Sequence, residues 1–289
     1  MYTLALALLA TAPAQPPAKH EDQNPLYKNL LESGLDVGGG VKVKFPAPSM
    51  PDGLDGTKQT AIIKELIGAQ YSYDEFVRNS NVAPQLLKIR DIAPSDPKAP
   101  ARGVDVWFVA YGDFKRLEDE KFLDRVTSTN RGGGKGGPLT NPDLAKRKIE
   151  LPKGNQKREG YGHVEFDFLE KVRLNAAGHA MWSRTSESVV AAAEIDPRFL
   201  DDKEFPNQWR SITKTGGQTK VGDPNPWSGA GMYFKITKLA APEGALFVEQ
   251  HVVFAEPTGW FDGANLLRSK LSIAVQDNVR TMRREFQKK

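Results

Sequence analysis

The chain has 289 residues, of which 39% are hydrophobic and 9% aromatic, enough for one large domain or two small ones. Its formal net charge is +4 at pH 7 and it contains no cysteine, which excludes disulfides, thiolate nucleophiles and cysteine-held metals. The basic excess is mild and is not laid out as a cationic stripe interleaved with aromatics, so it gives no nucleic-acid footprint.

Residues 1–14, MYTLALALLATAPA, join a short apolar run to a small-x-small site at Ala12 and Ala14. That pattern predicts a removable export signal and, for a chain without cysteine, a periplasmic or secreted destination. The run is too short to cross a bilayer, and no other segment approaches ~20 apolar residues, so no membrane span is expected. Residues 15–57 are expected to form an extended, partly disordered N-terminal segment. It opens on a polar tail over 15–24. A helix over Pro25–Glu32 puts Leu26, Leu30 and Leu31 on one face, and a short strand follows near 41–45.

Residues 58–289 read as a single α+β domain. Helices are expected over 60–66 and 73–78, then strands over Gln85–Ile92 and 102–111. The second of these is apolar on both faces, with Val104, Val106 and Phe108 opposite Trp107, Val109 and Tyr111. A helix is expected over 113–126. Residues 127–161 are poor in hydrophobics and hold RGGGKGGP at 131–138. A phosphate loop needs Gly at 129 and Ser or Thr at 136, where this chain has Thr and Gly, so a flexible insertion is expected.

From 162 onward the period becomes two. Val164, Phe166 and Phe168 share one strand face, with His163, Glu165 and Asp167 on the other. Strands follow over 176–186, 188–196 and 207–213, then a turn at Thr215-Gly216-Gly217 and a loop over 218–228. The strands over 229–239 and Ala245–Ala255 meet through a turn at Pro242-Glu243-Gly244. They turn Met232, Phe234, Ile236, Leu246, Val248, Val252 and Phe254 inward, together with one polar side chain, Gln250. The chain closes on a long amphipathic helix over 260–286. Ala264, Leu267, Leu271, Ala274, Val275, Asn278, Val279, Met282 and Phe286 form its apolar stripe, with Arg283 and the other cations off it.

Helices, a strand pair, a helix, six antiparallel strands and a long closing helix form an order that resembles the START-like, helix-grip fold. The segment HVVFAEPTGWFDGANLLRSKL, 251–271, is similar to that family's last strand running into its closing helix. The resemblance implies a curved antiparallel sheet packed around the C-terminal helix, with a cavity between them for a small apolar ligand or lipid. Trp182, Trp209, Phe234, Gln250, Val252, Leu271 and Asn278 would line it, with Gln250 bonded either to the ligand or within the protein, for example to Asn278.

Catalytic signals are weak. His20, His163, His179 and His251 show no HxH, HExxH or HxxxH spacing, so no metal site is expected. His163 and His251 fall on outer strand faces, beside Glu165 and Glu249, and read as solvated. Ser183, Ser186 and Ser188 lack a nucleophile-elbow context. The sequence therefore predicts an exported, non-catalytic binder of a small hydrophobic molecule, needing no cofactor. Two alternatives stay open. One is a cyclase, isomerase or hydrolase using the same cavity; the other is an envelope interaction protein with a filled core.

Overall fold

The computed structural model describes residues 19–38, 40–92, 101–119, 121–122, 134–151, 158–227, 229–257, 260 and 264–288. The expected signal over 1–14 lies outside them. The chain begins with α1 (His20–Gln23) and α2 (Pro25–Glu32), and β1 (Leu35–Asp36) pairs with β2 (Lys42–Val43). The tail expected over 15–24 is, from residue 19 onward, a packed element. His20 and Asn24 are buried, and the Asn24 side chain caps α2 by accepting from the Tyr27 N–H.

Next come α3 (Gly56–Ile67), capped by Asp55, and α4 (Tyr73–Phe76), opened by a Ser72/Glu75 capping box. The strands β3 (Gln85–Ile92) and β4 (Ala101–Tyr111) follow. The helix expected over 113–126 is a short 3-10 turn at Phe114–Glu118, with helical residues 121–122 beyond it and 123–126 outside the described set. The glycine-rich stretch is partly regular. Residues Lys135–Pro138 form β5, and Asn141–Lys146 form α5 behind a Thr140/Asp143 capping box. A Cβ on Gly136 would stand 2.2 Å from the His163 carbonyl oxygen, so β5 pairs at that distance only as glycine.

The remaining strands are β6 (Glu159–Phe168), β7 (Val172–Arg184), β8 (Ser188–Ile195), β9 (Gln208–Thr215), β10 (Gln218–Val221), β11 (Asn225–Pro226), β12 (Ala230–Lys238) and β13 (Ala245–Ala255). The loop expected over 218–228 contains two of them. Gly216 and Gly217, at φ 58° and 80°, supply the left-handed pair that turns β9 back as β10. The helix α6 (Ala264–Gln287) ends the chain.

Among the described residues β3 to β13 form one large antiparallel sheet that does not close into a barrel. Its main run is β3–β4–β13–β12–β8–β7–β6–β5, with β9 beside the first residues of β7. The sheet has a protein layer on each side. α6 lies against β3 and β4 on one face through Leu267, Leu271, Val279, Met282 and Phe286. The segment 19–57 and α3 cover the other. The α+β architecture with an antiparallel sheet and a closing C-terminal helix is as the sequence predicts.

The stripe on α6 differs from expectation in three places. Ala274 and Asn278 are exposed, whereas Arg283 is 2% exposed. The helix rests on β3 and β4 at one side of the sheet, so its contact line passes through 279, 282, 283 and 286 and leaves 274 and 278 to water. Arg283 is accommodated because its guanidinium donates to three backbone carbonyls. Nε reaches Val109 O at 2.8 Å, Nη1 reaches Ala83 O at 2.5 Å and Nη2 reaches Pro84 O at 2.8 Å. Burial lowers its pKa to about 10.

Candidate functional site

Strand register assembles the candidate site on the α6 face. Trp182 lies opposite Ala191, Ala191 opposite Phe234, Phe234 opposite Gln250, and Gln250 opposite Val106. One step along, Met232 faces Val252. Four of the expected site residues, Trp182, Phe234, Gln250 and Val252, thus form one patch. Phe234 is buried, but Trp182, Ala191, Met232, Gln250 and Val252 stay half-buried because α6 sits over β3 and β4. The Gln250 side chain makes no hydrogen bond among the described residues, and Asn278, its expected partner, points to solvent.

Leu271 is 7% exposed and belongs to the core under α6. Trp209 stands apart, on β9 opposite Leu174. It closes one end of the face through Trp260 at 5.9 Å between ring centroids, where Trp260 also meets Trp227 at 5.7 Å. The patch therefore has an aromatic end wall and an apolar floor broken by one amide.

The opposite face carries buried charges, among them His251, which was expected to be solvated beside Glu249. Asp105, Lys235, Glu249 and His251 are all at most 3% exposed. His251 Nδ1 is 2.8 Å from Asp105 Oδ1, and Arg90 Nε donates to Asp105 Oδ2 at 2.6 Å. The other imidazole nitrogen is 3.5 Å from Glu249 Oε2, a charge contact longer than a good hydrogen bond. Burial works to lower the His251 pKa, but the two carboxylates outweigh it and raise it. Glu249 accepts from the Ser49 and Met50 N–H groups at 2.7 and 3.3 Å, and Lys235 Nζ reaches Met50 O and Asp52 Oδ1, each at 2.8 Å.

Beside this lies a second chain of hydrogen bonds. His20 Nδ1 is 2.8 Å from Ser183 Oγ, and Nε2 is 2.7 Å from Ser188 Oγ. Ser188 in turn donates to Asp52 Oδ1 at 2.6 Å. That donation leaves Ser188 Oγ to accept from Nε2–H, so Nδ1 accepts the Ser183 proton; the network fixes the tautomer. Burial, then the nearby Lys235, lower the His20 pKa to about 4, against a smaller opposing pull from Asp52. His20 is therefore neutral, and its 3.7 Å approach to Asp52 is no ion pair. Burial would raise Asp52, but hydrogen bonds from Lys235, Ser188 and Thr185 hold it below the ordinary carboxylate value.

Ser183 and Ser188 are 2% and 0% exposed, so no substrate reaches them in this conformation. These polar groups fasten the N-terminal segment to the sheet. A signal for them existed: MYFKITK and LFVEQHVVF place charges inside strands apolar on both faces, the pattern of a sheet covered twice. Sequence could not name the cover. Elsewhere, His179 pairs with Glu159 at 2.8 Å, and Asp167 with Arg173 at 2.8 Å. Among the described residues no cluster of three or more His, Asp or Glu is arranged to hold a metal, and no helix is long and apolar enough to cross a membrane.

Neither a protein-family model nor a curated protein matches the chain. START-domain structures are among the solved structures it is similar to. The human StarD13 (DLC2) lipid transfer and protein localization domain aligns with a TM-score of 0.39 at 6% identity, over 70% of this chain and 90% of that one. Human STARD10 aligns at 0.35 and 7% identity, over 68% and 74%. An uncharacterized Rhizobium leguminosarum protein aligns at 0.30 and 12% identity, over 64% and 97%.

Proposed function

We propose that the protein is a non-catalytic binder of a small apolar or amphipathic molecule, held on the α6 side of the sheet and acting after export. The observation that carries this reading is the Trp182–Ala191–Phe234–Gln250 row, an apolar strip half open beside α6 with one amide free to bond. A ligand there covers the half-buried carbon and meets the amide, the usual composition of a small-molecule site. Catalysis is disfavoured because this row and the Met232–Val252 row beside it present no ionisable side chain. His20, Asp105, Lys235, Glu249 and His251 face the opposite side, under the N-terminal segment, and the buried Arg283 of α6 is engaged with the Val109, Ala83 and Pro84 carbonyls.

Native mass spectrometry of gently purified protein tests the reading, with displacement of a fluorescent apolar dye as a titration. A co-purifying small molecule or saturable dye binding is expected. Ala191→Phe fills the gap between Trp182 and Phe234 and abolishes binding. Gln250→Leu weakens ligands with a polar end by about fivefold, the equivalent of roughly one hydrogen bond. Absence of saturable binding by any apolar probe to folded protein would sink it. Export is tested by the N-terminus of protein recovered outside the cytoplasm: it is expected to begin after Ala14, and recovery only in the cytoplasm with Met1 intact refutes it.

A further inference from the structure

A groove of about 540 Å³ lies between α3 and β3, away from the α6 face. One wall is Ile62, Glu65 and Leu66 of α3 with Gln70 from the turn that follows, and the floor is Ser49 and Trp107. Its third wall is Leu86, Leu87 and Lys88, three consecutive residues of one strand. Leu86 and Lys88 share a face with Trp107, so the hollow lies over β3 and β4 on that face and adjoins the outer edge of β3. That edge is open: β3 ends the sheet, and its only partner among the described residues is β4. About half of its N–H and C=O groups therefore point away from β4 and have no strand partner among the described residues.

The floor is fixed. The Trp107 indole N–H donates to Ser49 Oγ at 3.0 Å, and its ring meets His251 edge-on at 5.5 Å. The rim carries two opposite charges, Glu65 on the helix and Lys88 on the strand, and neither takes part in an ion pair among the described residues. A row of backbone donors and acceptors is complemented by another extended backbone, and an edge strand flanked by a helix is the geometry of strand addition. A second copy of this chain is a poor occupant. Two β3 edges laid antiparallel about their centres would set Lys88 against Lys88 or Arg90, and like charges directly opposite are unfavourable.

We propose that this groove receives an extended segment of a partner protein, added as a strand to β3. The segment places an apolar side chain among Ile62, Leu66 and Trp107 and an acidic side chain opposite Lys88. The site is independent of the ligand patch on the α6 face, and either can fail without the other.

The full chain is panned against a display library of random linear peptides, and the enriched sequences are synthesised, labelled and titrated by fluorescence polarisation. Enriched peptides are expected to alternate, with an acidic residue near the apolar anchor, and to slow amide exchange in Gln85–Ile92. Lys88→Glu weakens them by about tenfold and favours peptides with a basic residue at that position. Leu66→Arg abolishes binding, and because both positions are solvent-accessible the thermal midpoints of the variants verify folding. The proposal is overturned if no sequence is enriched, or if enriched peptides bind both variants equally and leave β3 exchange unchanged. It is also overturned if sedimentation shows a dimer that Lys88→Glu alters, which would make a second copy the occupant.

Discussion

Lowering the pH from 7 to 5 is expected to loosen the N-terminal segment through one residue, His20. Its pKa is about 4 in the folded chain and 6.5 in the unfolded chain. Between those values the unfolded state binds the extra proton, so stability rises with pH and is lost as pH falls from 6.5 towards 4. The gap corresponds to about 3 kcal/mol in full, and to about 2 kcal/mol at pH 5. The cost arises because an imidazolium would be desolvated beside Lys235 and would lose Nδ1 as the acceptor for Ser183. Urea unfolding of the wild type and of His20→Gln at pH 7, 6 and 5 isolates this contribution, because every other titrating group is common to both curves. The wild type should lose about 2 kcal/mol more than the variant between pH 7 and 5. Amide protection in Pro25–Glu32, taken relative to the intrinsic exchange rate at each pH, should fall over the same range in the wild type alone. Parallel stability curves for the two proteins would refute the neutral, buried His20 and the relay built on it.

The partner network has the opposite sign. His251 is raised above 6.5 by Asp105 and Glu249, so its contribution is complete below pH 6.5 and fades as pH rises through the folded value. His251→Gln should therefore flatten the alkaline limb of the stability profile, and a limb unchanged by the substitution would argue against a charged His251. Arg283→Met removes donors from the Val109, Ala83 and Pro84 carbonyls and should destabilise the protein by about 3 kcal/mol, read from the urea midpoint. A loss under ~1 kcal/mol would show that those carbonyls find other partners. Gly136→Ala should detach β5, visible as faster amide exchange in Lys135–Pro138, while the thermal midpoint of the main sheet stays within a few degrees. Unchanged exchange there would show that the neighbouring strand yields instead.

Sequence by itself determined most of the elements. The ranges of β3 and β13 follow from their period-two runs, and the shared inward face of Phe234, Gln250 and Val252 follows from alternation. The closing helix follows from its apolar spacing, whereas the caps at Asn24, Asp55 and Ser72 emerged only with the structure. Only the tertiary structure decided what each face meets. Alternation groups His251 with Glu249 but cannot say whether that face lies in water or under residues 19–57, since the cover is separated from it by some two hundred positions of chain. The same limit applies to α6, where the spacing includes Asn278 in the stripe and excludes Arg283, while contact with β3 and β4 reverses both. It applies equally to the groove beside α3. A strand's composition does not reveal that it ends the sheet; edge position is a property of pairing order, fixed only when all the strands have found their neighbours.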